Sequence, residues 1–112
     1  MAHTSKPSLL IVDDDPLIAD TLTYVLSKDF EISAAESRAQ VKSLMMQLDE
    51  PPQLALVDLG LPPQPHKPDE GFALIADLLG ISPSIKILVL SSQSDEANAR
   101  HARALGTIDV VA

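Results

Sequence analysis

The sequence predicts an α/β domain built on a parallel sheet, and the order of its segments carries this prediction. Short apolar segments alternate with longer amphipathic ones along the chain, as in a sheet with helices on both faces. The apolar segments are too short for helices and nearly continuous, as expected for strands buried on both faces. Since 112 residues is the length of one small domain, we expect a single domain over residues 1–112.

Five segments are predicted to be strands. The first of them is bounded by Pro7 and by an acidic cluster, and the second is the weakest in pattern. We expect the flavodoxin-like order 2-1-3-4-5, which makes the first and third strands neighbours where the strand order reverses. The predicted strands are Leu9–Val12, Phe30–Ala34, Leu54–Val57, Ile85–Leu90 and Ile108–Val111.

Four helices are predicted between these strands. Asp15-Pro16 places a capping residue before a proline at the first helical position, and Ser37 with Gln40 has capping-box spacing. The first helix carries an apolar stripe of Ile18, Leu22, Val25 and Leu26. The predicted helices are Pro16–Lys28, a segment from Ser37 to Pro51-Pro52, Asp69–Gly80, and a segment from Ser94 to Leu105 that stops at Gly106.

Composition excludes several classes of protein. The formal net charge of −8 argues against nucleic-acid binding by this segment, because phosphate contacts need clustered Lys and Arg. The sequence contains no cysteine, which excludes disulfides and thiolate metal sites. The sequence has no apolar run of membrane-spanning length, and the polar start Met1–Pro7 has no signal-peptide core. We therefore expect a cytoplasmic protein that does not interact with membranes.

Residues whose side chains are able to bind a cation or react follow three of the predicted strands. Asp13 and Asp14 follow the first strand, Asp58 the third, and Ser91 the fourth. In the expected strand order, the first two aspartates face Asp58 across a shallow pocket at the carboxyl ends of the strands. Carboxylates this close repel one another and either raise their pKa values or recruit a cation. Because the ligands are all hard oxygens, Mg²⁺ suits the pocket better than zinc.

Each of these features also has a plain structural explanation. Acidic residues before a helix complement its dipole, an aspartate can end a strand in a turn, and serines are common at strand ends. Their coincidence at three strand ends favours a functional interpretation. A carboxylate in such a place can act as a nucleophile toward a phosphoryl group, with the cation neutralising the charge that is transferred.

Three segments together resemble the receiver domains of two-component signalling: Leu9–Pro16, with three aspartates after a strand; Leu54–Pro62, with Asp58 after a strand; and Ile87–Ser92, with serines after a strand. The resemblance covers essentially the whole chain. It implies the flavodoxin-like fold and a module that takes a phosphoryl group from a sensor histidine kinase. Such modules catalyse the transfer themselves and are not classed as free-standing enzymes.

The resemblance also implies a role for each matching residue. Asp58 would be the phosphoacceptor. Asp14 would bind Mg²⁺ or Mn²⁺ directly, Asp13 mainly through water, and the Gly60 backbone carbonyl would be a further ligand beside Asp58. Ser91 would hydrogen-bond the phosphoryl group and couple it to movement of the fourth strand and the following helix.

The sequence departs from the receiver pattern in the loop from Pro63 to Gly71, which is several residues longer than usual and rich in proline. This loop is interpreted either as a surface insertion or as a segment that gates the pocket or contacts a partner. It is similar to a subgroup whose full proteins carry an ATPase and a helix-turn-helix output domain.

Two further departures concern the end of the pattern. Counted from Gly106, the family's lysine falls just past Ala112, and its aromatic switch position is Val110. We therefore expect poor phosphorylation of this chain and no aromatic rotamer switch. The family's last helix is missing, so we expect a fragment of a longer regulator without its output domain. The sheet face beside the first helix should be under-covered, which favours a homodimer or strand exchange.

Two alternative functions stay open at this point. A haloacid-dehalogenase-like phosphatase uses two aspartates spaced like Asp13 and Asp15, but it usually has a longer chain and further motifs. A phosphorylation-independent, receiver-like scaffold would only bind protein partners. The complete carboxylate set argues against the scaffold, and the missing lysine and aromatic residue argue for it.

Overall fold

The computed structural model describes residues 6–63, 67–90, 96–107 and 109–111. Within these ranges, parallel strands alternate with helices along the chain. The elements are β1 Ser8–Val12, α1 Pro16–Leu26, β2 Glu31–Ala35, α2 Arg38–Gln47, β3 Leu54–Asp58, α3 Asp69–Ile81, β4 Lys86–Leu90, α4 Glu96–Leu105 and β5 Asp109–Val111.

The structure confirms the predicted α/β fold with a parallel, flavodoxin-like sheet. The strands lie in the order β2-β1-β3-β4-β5, in which β5 is a three-residue strand at the edge beside β4. β1 pairs with β2 on one side and with β3 on the other, so the strand order reverses there. The register places Val12 opposite Val57, which brings the carboxyl ends of β1 and β3 side by side.

One face of the sheet carries the main core beneath α2, α3 and α4. Alternate residues of β1, β3 and β4 point to this face, among them Leu10, Val57 and Ile87, none of which is exposed to solvent. They share a buried cluster with Leu74 and Ile75 of α3. The site at the strand ends therefore lies on a well-packed core.

Most helix ends lie where their capping residues predict. Ser37 accepts a hydrogen bond from the Gln40 N–H at 3.1 Å and caps α2. Gly106 ends α4 with φ 114°, and the Thr107 N–H donates to the Ala102 carbonyl at 3.3 Å, as in a Schellman motif. Ser94, the predicted cap of α4, lies outside the described residues. α2 ends at Gln47, before the Pro51-Pro52 pair.

The prediction for α1 was wrong at its end. The helix stops at Leu26 rather than Lys28, because the Leu26 carbonyl accepts from two N–H groups of the following turn. Ile18 and Val25 of the predicted stripe are 43% and 58% exposed. α1 packs against β1 and β2 and buries mainly Ala19.

The sheet face beside α1 is under-covered, as the sequence predicts. Leu56 of β3 and Leu88 of β4 lie opposite each other on this face and are only half-buried. Ile18 and Val25 of α1 are exposed as well, and we call these four apolar residues the open face. Among the described residues, every helix is too short or too polar to cross a membrane.

Candidate functional site

The end of β1 gives its three aspartates different surroundings. Asp13 continues the strand by one residue, since its N–H donates to the Ala35 carbonyl at 3.1 Å, and its side chain is buried with only 3% exposure. Its carboxylate accepts the Asp15 N–H at 2.9 Å. Asp15 is exposed and caps α1 by accepting the Leu17 N–H at 3.0 Å. Asp14 lies between them and is half-buried.

Asp58 is the last residue of β3 and is half-buried at the adjacent strand end. Its carboxylate Oδ1 accepts the Gly60 N–H at 3.2 Å. This bond closes a short turn directly after the strand, which is a common use of an aspartate. The turn keeps the Asp58 carboxylate at the edge of the sheet, beside the end of β1.

The structure brings together Asp13, Asp14 and Asp58. One carboxylate oxygen from each lies within 4.8 Å of the other two. We call this group the carboxylate cluster. Three hard oxygen donors at this spacing are able to bind a divalent cation.

The electrostatics of the carboxylate cluster favour a cation. The pKa of Asp58 is raised from 3.8 to about 6, mainly by burial and further by the negative charges of Asp13 and Asp14, while the hydrogen bond from the Gly60 N–H lowers it. Burial likewise raises the pKa of Asp13, against the lowering effect of the Asp15 N–H. Near neutral pH the ionised cluster holds unfavourable negative charge, which a bound divalent cation would relieve.

Two of the predicted site residues, Gly60 and Ser91, contribute no side chain to the carboxylate cluster as the structure describes it. Gly60 contributes its N–H to Asp58, and a role for its carbonyl stays a prediction. Ser91 lies outside the described residues, as do the central residues 64–66 of the proline-rich loop.

Sequence reasoning missed Gly71, in the first turn of α3. Its N–H donates to the Leu59 carbonyl at 3.2 Å, so α3 contacts the turn that follows Asp58. A glycine inside a predicted helix lowers helix stability, and such a residue often marks a close approach of two backbones. That signal was present in the sequence.

With this fold and this cluster, the chain belongs to the response regulator receiver domains, the signalling modules of two-component systems. Residues 9–112 match that family. The Escherichia coli (strain K12) transcriptional regulatory protein CreB is 30% identical over 108 residues, which are 96% of this chain and 44% of CreB. The chain therefore spans less than half the length of this curated relative.

Solved structures agree with the family. A response regulator from Burkholderia pseudomallei is 27% identical with a TM-score of 0.76, covering 94% of this chain and 58% of that one. It is described with a phosphorylated aspartic acid, a calcium ion and citrate. A CheY-like receiver domain protein from Methanospirillum hungatei JF-1 is 25% identical with a TM-score of 0.80, covering 96% of this chain and 81% of that one.

Proposed function

We propose that this domain accepts a phosphoryl group on Asp58 from the phosphohistidine of a sensor histidine kinase and changes shape in response. The observation that carries the proposal is the carboxylate cluster, whose three oxygens lie within 4.8 Å of one another at the strand ends. Asp58 is the member that ends β3, and it is the residue to which the resemblance to receiver domains assigns the phosphoacceptor role.

In the proposed step, an Asp58 carboxylate oxygen attacks phosphorus and forms a P–O bond. The P–N bond of the donor breaks, and its electron pair stays on the imidazole nitrogen. Asp58 has to be ionised to attack, and its pKa of about 6 leaves it mostly ionised at neutral pH. The Ser91 hydroxyl would hydrogen-bond one phosphoryl oxygen and couple the transfer to movement of the chain after β4.

Mg²⁺ or Mn²⁺ is the proposed cation, held directly by Asp14, Asp58 and the Gly60 carbonyl and mainly through water by Asp13. Mg²⁺ usually binds one or two carboxylates and keeps several waters, which suits a small cluster open to solvent on one side. When bound, it would neutralise charge on the transferred phosphoryl oxygens.

Incubation with acetyl phosphate tests the proposal by intact-mass spectrometry. With Mg²⁺ we expect an added phosphoryl group. The adduct should vanish with a chelator and in Asp58→Asn, but persist in Asp20→Asn, which changes an exposed α1 aspartate by the same charge. No adduct on this chain, nor on a longer form that includes the lysine, would favour the receiver-like scaffold.

The position of Asp15 argues against a haloacid-dehalogenase-like phosphatase. That chemistry needs Asp13 and Asp15 in one site. Asp15 is exposed, and its Oδ1 accepts the Leu17 N–H as the cap of α1. Asp14 and Asp58 are the carboxylates that share the cluster with Asp13.

We propose a longer regulator as the natural setting of this domain, with a histidine kinase as donor and an output domain that receives the signal. CreB is a transcriptional regulatory protein more than twice the length of the matched segment, which supports an attached DNA-binding output. The loop from Pro63 to Gly71 is similar to that of a subgroup with an ATPase domain, which supports an ATPase domain in the full protein in addition to the DNA-binding output. With a net charge of −8, the segment itself is not expected to bind nucleic acid.

We further propose that two copies associate through the open face at high concentration, because exposed apolar surface favours association and two-fold dimers are the commonest homo-oligomers. Val25→Lys should make the protein monomeric in light scattering, since Val25 is 58% exposed on that surface. Met46→Lys is the control, because Met46 is 88% exposed on α2, beside the opposite face. A wild-type protein that stays monomeric at high concentration would contradict this proposal.

A further inference from the structure

The turn after Asp58 is held by two hydrogen bonds to one carbonyl. The Leu59 carbonyl accepts the Leu61 N–H at 3.0 Å and the Gly71 N–H at 3.2 Å. The side chains of Leu59 and Leu61 are 4% and 0% exposed. The turn that carries Gly60 is thus fixed on one side by the core and on the other by the first turn of α3.

Only glycine fits at position 71. A Cβ atom there would lie 2.4 Å from Leu59 Cα, 2.7 Å from Leu59 O and 2.9 Å from Leu59 C. All three atoms are backbone, so no side chain is able to turn away and make room. The missing side chain of Gly71 therefore determines how closely α3 and the turn approach each other.

The Leu59 carbonyl also caps α3. The first N–H groups of a helix have no partner within the helix, and the residue at the N-cap, Pro68, provides no side-chain bond. The Leu59 carbonyl satisfies the Gly71 N–H in its place. Because the same bond serves the helix and the turn, a shift of one moves the other.

α3 itself is firmly anchored, so a clash at Gly71 would displace the turn. Arg38 of α2 donates to the two Asp77 carboxylate oxygens at 2.7 and 3.3 Å and to Glu70 at 3.4 Å. Leu74 and Leu78 of α3 are at most 1% exposed in the core. A Cβ atom at Gly71 would therefore press on the Leu59 backbone from a helix that is held by the core and by an ion pair.

We propose that Gly71 is a positioning residue for the cation site, acting through Leu59 to place Asp58 and Gly60 opposite the Asp13–Asp14 end of β1. This inference rests on the proposed cation binding by the carboxylate cluster. Gly71 touches neither cation nor phosphoryl group; it sets the separation of the two strand ends that do.

Gly71→Ala tests the proposal, with Gly80→Ala as a matched control on the same helix. A Cβ at Gly80 meets nothing within 4 Å. Mn²⁺ affinity is measured by electron paramagnetic resonance, and folding by circular dichroism. We expect Gly71→Ala to weaken Mn²⁺ binding at least about tenfold, as for other groups that orient metal ligands, and Gly80→Ala to leave it unchanged. A folded Gly71→Ala protein that binds Mn²⁺ like the wild type overturns the proposal.

Amide hydrogen exchange of the wild-type protein provides a test that does not depend on any variant folding. If the Gly71–Leu59 contact and the cation site are coupled, the coupling is reciprocal. Mg²⁺ should then slow exchange of the Gly71 N–H but not of the Gly80 N–H. Unchanged exchange at Gly71 while Mg²⁺ binds overturns this inference and leaves the proposed function standing. Absence of any cation binding by the wild type overturns both.

Discussion

Asp14→Asn is expected to lower the affinity for Mn²⁺ or Mg²⁺ about 100-fold, because the number of charged ligands largely sets the strength of a hard-cation site. The Asp14 carboxylate is half-buried, and one of its oxygens lies within 4.8 Å of oxygens of Asp13 and Asp58. The amide keeps the size of the side chain, so the loss reports on charge. Isothermal titration calorimetry measures the affinity directly.

Asp20→Asn is the matched control for this prediction. Asp20 lies on α1, is exposed, and carries the same charge as Asp14, so both variants change the net charge of the protein equally. Its affinity should stay within about twofold of the wild type, since charges exposed at a distance are screened by salt. Equal losses in Asp14→Asn and Asp20→Asn would mean that cations bind through overall charge and not at the carboxylate cluster.

Asp58→Asn is expected to stabilise the cation-free protein near pH 8 and to have little effect near pH 4. The pKa of Asp58 is raised from 3.8 to about 6, so between these values the folded protein binds more protons there than the unfolded chain. Stability therefore falls as the pH rises through this window, and the full cost is present above about pH 7. Asparagine carries no charge, so the Asp58→Asn protein does not lose stability in this way.

The expected gain near pH 8 is about 1–2 kcal/mol. Two pKa units correspond to about 3 kcal/mol, and the half-buried carboxyl is partly screened by solvent. Urea unfolding followed by circular dichroism at several pH values measures the difference. Asp29→Asn is the matched control, because it removes the same charge at an exposed position. If Asp58→Asn raised the free energy of unfolding equally near pH 4 and pH 8, the destabilisation would not come from the ionised Asp58 carboxylate.

The sequence predicted the sheet and the meeting of the aspartates because both depend on strong local patterns. β1, β3 and β4 are mainly apolar runs, and the alternation of strands with helices leaves few strand orders. Once β1 and β3 are neighbours, Asp13 and Asp58 have to lie close together, since both follow parallel strands at the same edge.

What the sequence did not reveal depends on contacts between distant residues. Arg38 bonds to Asp77 across 39 positions, and no local pattern marks that pair. Ile18 and Val25 have the spacing of a buried stripe, yet they stay exposed, and the main contacts of α1 among the described residues are with β1 and β2. Helical spacing shows that residues share a face, whereas burial depends on what covers that face.

The most direct test of the central claim is to locate the phosphoryl group by tandem mass spectrometry. Phosphoramidate is a suitable donor because it has the P–N bond of phosphohistidine, and Mg²⁺ is present throughout. We predict that the modified peptide carries its phosphoryl group on Asp58 and that Asp58→Asn yields no modified peptide. A phosphoryl group on Asp13, or one that persists in Asp58→Asn, would contradict the account.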